Sequence, residues 1–87
     1  MHIRFFQKLH RPRNEPASQI FHGKHRHFDY RVIGSLMAGG WYMRVQILSN
    51  GRRIRKYRDD TRAYPDFESL RIAGVIIAHE MMARLDA

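Results

Sequence analysis

From Phe28 onward, apolar and polar residues alternate in three runs, each bounded by a turn signal. The runs "FDYRVIGSLMA" (28–38), "WYMRVQILS" (41–49) and "RRIRKYR" (52–58) read as strands, because a pleated chain sends successive side chains to opposite faces. Gly39-Gly40 separates the first two and Asn50-Gly51 the last two. Asn-Gly is the strongest short hairpin signal, since both central positions of a type I′ turn need φ > 0.

These turns predict a register. A reversal at Asn50-Gly51 pairs Ser49 with Arg52, Ile47 with Ile54, Val45 with Lys56 and Arg44 with Tyr57. One at Gly39-Gly40 pairs Leu36 with Met43, Gly34 with Val45 and Val32 with Ile47. One face then collects Tyr30, Val32, Leu36, Trp41, Met43, Val45, Ile47 and Ile54, a core. The other collects Ile33, Ser35, Met37, Gln46 and Leu48, with Arg31, Tyr42, Arg44, Arg53, Arg55 and Tyr57 among them. Lys56 and Arg58 fall on the core side in this register, which requires them to sit at the periphery and lead their charged ends to water. A strand so charged belongs at the sheet edge, where it discourages pairing with other chains.

After "DDTRAYP" the period changes. Phe67, Leu70, Gly74, Ile77, Met81 and Leu85 share one helical stripe, flanked by Ala73 and Ala78, with Asp66 as N-cap and Glu68 in the first turn near the positive dipole end. Gly74 permits close approach to the strands. Ile72, Val75, Ile76 and Met82, with His79 among them, are read as facing away from the sheet. A surface helix is normally polar there, so this side is the expected interface for a second copy of the chain, for a protein partner or for the N-terminal arm. The fold expected is α+β: a three-stranded antiparallel sheet, order 1-2-3, with a C-terminal helix on one face. Residues 1–26, punctuated by Pro12 and Pro16, are expected to form a largely flexible basic arm, and 27–87 the single domain.

At residues 40–74 the chain resembles a family of small uncharacterised proteobacterial proteins. The resemblance rests on Gly40-Trp41-Tyr42, Val45, Ile47, Asn50-Gly51 and the Arg62-Ala63-Tyr64-Pro65 entry to the helix. It implies a bacterial sheet-and-helix domain over about residues 28–85 and carries no functional residue across. The strand-strand-strand-helix order is also similar in architecture to the N-terminal domain of HicB-type antitoxins. This chain departs from that domain in its more basic third strand and in lacking a following DNA-binding segment.

Composition adds the electrostatics. The 87 residues carry 16 Lys and Arg against 8 Asp and Glu, a formal net charge of +8. The charge is uneven: +5 over residues 1–27, +5 over 28–63 and −2 over 64–87. A basic body favours polyanionic partners, RNA or DNA among them. Arginine's planar fork suits phosphate and tyrosine stacks on exposed bases, so Arg31, Tyr42, Arg44, Arg53, Arg55 and Tyr57 form the candidate nucleic-acid face. Asp59 and Asp60 between Arg58 and Arg62 compensate charge locally at one end of the third strand.

The remaining chemistry excludes more than it suggests. Cysteine is absent, so there is no thiolate or disulfide chemistry. "HGKHRH" places His22, His25 and His27 close together, with His2 and His10 further upstream. Without a cysteine or an evident fourth ligand, no structural zinc site is expected, and no metal or other cofactor. His79 and Glu80 are adjacent on a helix, about 100° apart, and do not converge on one substrate. There is no HExxH, phosphate-cradling loop or nucleophile elbow, so no catalytic residue and no small-molecule substrate are expected: the reading is a binding protein rather than an enzyme. No run approaches the roughly 18–20 apolar residues of a membrane span, which leaves the cytoplasm as the expected location.

Overall fold

The helix and the antiparallel sheet are both present, with one strand more than the alternation implies. The structure is a computed structural model that describes residues 18–86. Its elements are β1 (Ser18–His25), β2 (Phe28–Met37), β3 (Gly40–Ser49), β4 (Arg52–Tyr64) and α1 (Phe67–Leu85). The four strands are antiparallel in the order β1-β2-β3-β4, and α1 crosses one face.

β1 corrects the expected three-stranded sheet, and residues 18–25 leave the arm to become an edge strand. The rest of the expected arm, residues 1–17, lies outside the described residues. β1 escapes the alternation because its two large apolar residues, Ile20 and Phe21, are neighbours and so face opposite ways. Phe21 faces α1 opposite Val32, and Ile20 faces out opposite Ile33.

Both expected hairpins form, each with a change of register. The β2–β3 reversal sits at Ala38-Gly39, so Leu36 opposes Trp41 and Val32 opposes Val45. The offset from the expected pairing is two residues, and because the pleat repeats every two residues no side chain changes face. Gly40 opens β3 instead of occupying the turn. Its φ is +131°, and a Cβ there would meet the Tyr64 carbonyl oxygen at 2.9 Å.

Asn50 and Gly51, at φ +53° and +81°, reverse the chain as the type I′ signal implies, and Ser49 opposes Arg52. The pairing then slips by one. Leu48 opposes Arg53, but Ile47 opposes Arg55, leaving Ile54 as an extra residue in β4. This is a β-bulge, two residues against one. Beyond it Val45 faces Tyr57, Gln46 faces Lys56 and Arg44 faces Arg58, replacing the expected Val45–Lys56 and Arg44–Tyr57 pairs. A single offset exchanges the two faces of the strand. Lys56 and Arg58 move to the outer face, and Arg55 and Tyr57 move to the helix side. The burial conflict of the expected register is thereby removed. Ile54 packs against the core, and Arg55 Nη1 donates to the Ile54 carbonyl at 2.8 Å.

A second irregularity lies between Met43–Asp59 and Trp41–Tyr64. Asp59 organises it by accepting from the Thr61 backbone N–H at 2.9 Å and the Thr61 hydroxyl at 2.7 Å. These bonds hold the Asp59 carboxyl below its ordinary pKa.

The core is a single cluster between sheet and helix. Val32, Met43, Val45, Ile47, Leu70 and Met82 are its fully buried large side chains. Leu70, Gly74, Ala78 and Met82 form the buried line of α1, and at Gly74 an added Cβ would come within 2.3 Å of Val32 Cγ1. The line is displaced from the expected stripe: Met82, expected to face outward, is 1% exposed, and Val75 packs against the core. The helix begins as expected. Asp66 accepts from the Ser69 N–H at 2.8 Å, which lowers its pKa, and Glu68 is lowered by its bond from Arg71. Arg71 also lies over the Phe21 ring, 5.2 Å from its centroid, so β1 is tied to the helix.

Candidate nucleic-acid interface

The register places the outer residues in rows across the sheet. One runs Ile20, Ile33, Arg44, Arg58, the next His22, Arg31, Gln46, Lys56, and a third Lys24, Asp29, Leu48, Arg53. Read across strands, the face grades from a mixed side on β1 and β2 to a cationic side on β3 and β4.

Arg44 and Arg58 are directly opposed, a like-charge pair that destabilises a sheet. A groove of about 290 Å³ is lined by Arg44, Gln46, Arg53, Lys56 and Arg58 together with Val45 and Tyr57. Arg58 Nε reaches Asp60 at 3.1 Å, both side chains being largely exposed. Among the described residues Arg44, Arg53 and Lys56 take part in no ion pair. Exposed pairs such as Arg58–Asp60 contribute only about 0–1 kcal/mol, so that arginine remains available to a competing anion.

Of the six residues expected on this face, Arg31, Tyr42, Arg44 and Arg53 are there. Arg31 is part-buried and donates from Nη1 to Gln46 Oε1 at 3.1 Å. The register turns Arg55 and Tyr57 to the helix side, where with Lys56, Met81, Arg84 and Leu85 they line a second cavity of about 290 Å³, Tyr57 and Lys56 lining the groove as well. Lys56 and Arg58 take their place on the outer face. The sequence carried one sign of this, the two cations assigned to the dry side.

The expected interface on α1 is similarly divided. Ile72 and Ile76 are 52% and 57% exposed. Val75 and Met82 turn toward the core, and His79 lies at the β1 side, its ring 4.3 Å from that of His25 and 5.8 Å from that of Tyr30. The helix end is held by the β1–β2 turn, where Arg26 Nη1 and His27 Nε2 lie 3.3 Å and 3.6 Å from the Asp86 carboxylate.

The histidine run does not converge. His22 points to the outer face, opposite Arg31, and His25 to the helix side, opposite Phe28. Among the described residues no group of three or more His, Cys, Asp or Glu is placed to hold a metal ion, and no helix is long and apolar enough to cross a membrane. Comparison with protein-family models, with curated proteins and with solved structures returned no match to this chain.

Proposed function

We propose that this protein is a non-enzymatic binder of nucleic acid, RNA or DNA, gripping the phosphate backbone with the outer face of β3 and β4. The observation that carries the reading is the groove in which Arg44, Arg53, Lys56 and Arg58 gather, three of them outside any described ion pair. Tyr42 on the same face offers a ring to an unstacked base. Among the described residues no base-reading element accompanies the cations, so binding is expected to be tolerant of sequence, with an affinity set by counterion release.

Fluorescence anisotropy with single- and double-stranded oligonucleotides tests it. Binding should weaken linearly in log–log with salt, at about 0.7–0.9 per phosphate contact. The double variant Arg44→Glu, Lys56→Glu should abolish it, whereas Arg55→Glu, whose side chain leaves the face at the bulge, should cost far less. No binding by the unmodified chain at low salt, or equal losses in both variants, overturns the reading.

A second reading draws on the exposure of Ile72 and Ile76. There the helix is an interaction module, antitoxin-like in its use, that pairs with a second copy or docks a protein partner. Light scattering separates the two readings, since Ile76→Asp should reduce the measured mass only if the helix forms a homodimer.

A further inference from the structure

The two edges of the sheet are unequally protected. Eight of the 13 residues of β4 are charged, which discourages another strand from pairing there. β1 has one lysine or arginine and no acid; that residue, Lys24, already pairs with Asp29 at 2.9 Å. Among the described residues β1 is bonded to β2 alone, so alternate residues turn their N–H and C=O groups outward. In the body of this strand stand Ile20, 49% exposed on the outer face, and Phe21, partly buried on the helix side. An edge with little charge and apolar side chains on both faces invites a further strand.

We propose that the occupant is β1 of a second copy, paired antiparallel about a two-fold axis through Phe21 to give one eight-stranded sheet. Charge favours this edge. In a chain of net charge +8, copies meeting through β4 or through the outer cationic rows would oppose arginine to arginine.

The pleat restricts the register. Residues opposed across the axis must share a face, so the axis passes through a residue and not between two. Through His22 it would set the two histidines against each other and Ile20 against Lys24. Through Phe21 it pairs the two phenylalanines on the helix side and sets Lys24 opposite Ser18. On the outer face Ile20 then opposes His22 of the second copy, and the two Ile20 side chains are diagonal neighbours across the seam.

The helices permit this arrangement. α1 packs chiefly on β2 and β3, so the two helices stand four strand spacings, about 19 Å, apart. Packed helices approach to about 8–10 Å, so these do not collide. The axis is perpendicular to the sheet. Both β3–β4 grooves therefore fall on one face, six strand spacings or about 29 Å apart.

Sedimentation equilibrium on the full-length protein tests the pairing. The unmodified chain should sediment as a dimer. Ile20→Lys, which puts charge at the seam on an exposed position, should be a folded monomer by circular dichroism and mass, and Ile76→Asp should remain a dimer. The chain contains no cysteine, so His22→Cys gives one site for a nitroxide. Two such labels sit diagonally across the seam on backbones about 7–8 Å apart, and their spectrum should be broadened, narrowing when excess unlabelled protein is mixed in. If Ile20→Lys fails to fold, this spectrum decides. A monomeric unmodified chain overturns the proposal, as does a dimer dissociated by Ile76→Asp, a dimer that survives Ile20→Lys, or a dimer whose labels show no broadening. None of these outcomes depends on whether the β3–β4 groove binds nucleic acid.

Discussion

Single residues decide how closely the layers of this protein approach and how its turns close. At Gly74 the missing Cβ is what lets α1 reach Val32. An alanine there gains about 1 kcal/mol of helix propensity but must fit into 2.3 Å beside a fully buried valine. Overpacking costs about 1–3 kcal/mol, so Gly74→Ala should lower the urea midpoint, and Gly74→Val should lower it further. Asp66 is decided by one hydrogen bond. Its folded pKa lies below the ordinary 3.8, as do those of Asp59 and, against 4.5, Glu68. Such groups stabilise the fold above their unfolded pKa and lose that contribution as pH falls through the folded value. The melting temperature should therefore hold to about pH 4.5 and then fall. Asp66→Asn, which keeps the cap without the charge, should show a shallower fall than the unmodified chain.

At the scale of elements, β4 shows how one inserted residue redistributes chemistry. The bulge at Ile54 sends Ile54 and Arg55 toward the helix side and turns Lys56 and Arg58 outward. Deleting Ile54 should remove the bulge while keeping Arg55 opposite Ile47, Lys56 opposite Gln46 and Tyr57 opposite Val45, so that Lys56 and Arg58 stay on the outer face. The deletion should still cost about 1–3 kcal/mol, since it removes an apolar side chain packed against the core, and chemical denaturation would register it. The hairpin turn was legible because Asn-Gly is a local signal. The bulge was not, because nothing in "RRIRKYR" marks which residue is extra: the choice is made by Ile47 and Val45 across the strand and by the helix above them. β1 was missed for a related reason. An edge strand pairs on one side only, and its sequence need not alternate to be held there.

For the whole molecule, the two faces of the sheet do different work. One is sealed by α1 and fixed at both ends, by the Asp66 cap and by the Arg26 and His27 contacts to Asp86. The other concentrates cations on the side away from β1. Net charge of +8 predicted a polyanion partner without saying where it would sit; the order β1-β2-β3-β4 places the cations of β3 and β4 side by side. The helix's outer stripe belongs to the same scale. Of five residues expected there, Ile72, Ile76 and His79 are exposed, whereas Met82 closes the core and Val75 packs against it. The apolar stripe offered to a partner is thus narrower than the alternation suggested, and Ile76→Asp should leave folding intact while reporting on association.

By itself the sequence determined what depends on neighbours a few residues apart: the α+β class, the Asn50-Gly51 reversal, the Asp66 cap and the excess of positive charge. Tertiary structure alone decided the fourth strand, the bulge and hence the membership of the cationic face. Those features depend on pairing across strands and packing against the helix, and a one-residue slip in pairing leaves every local pattern unchanged while exchanging every side chain beyond it between water and core.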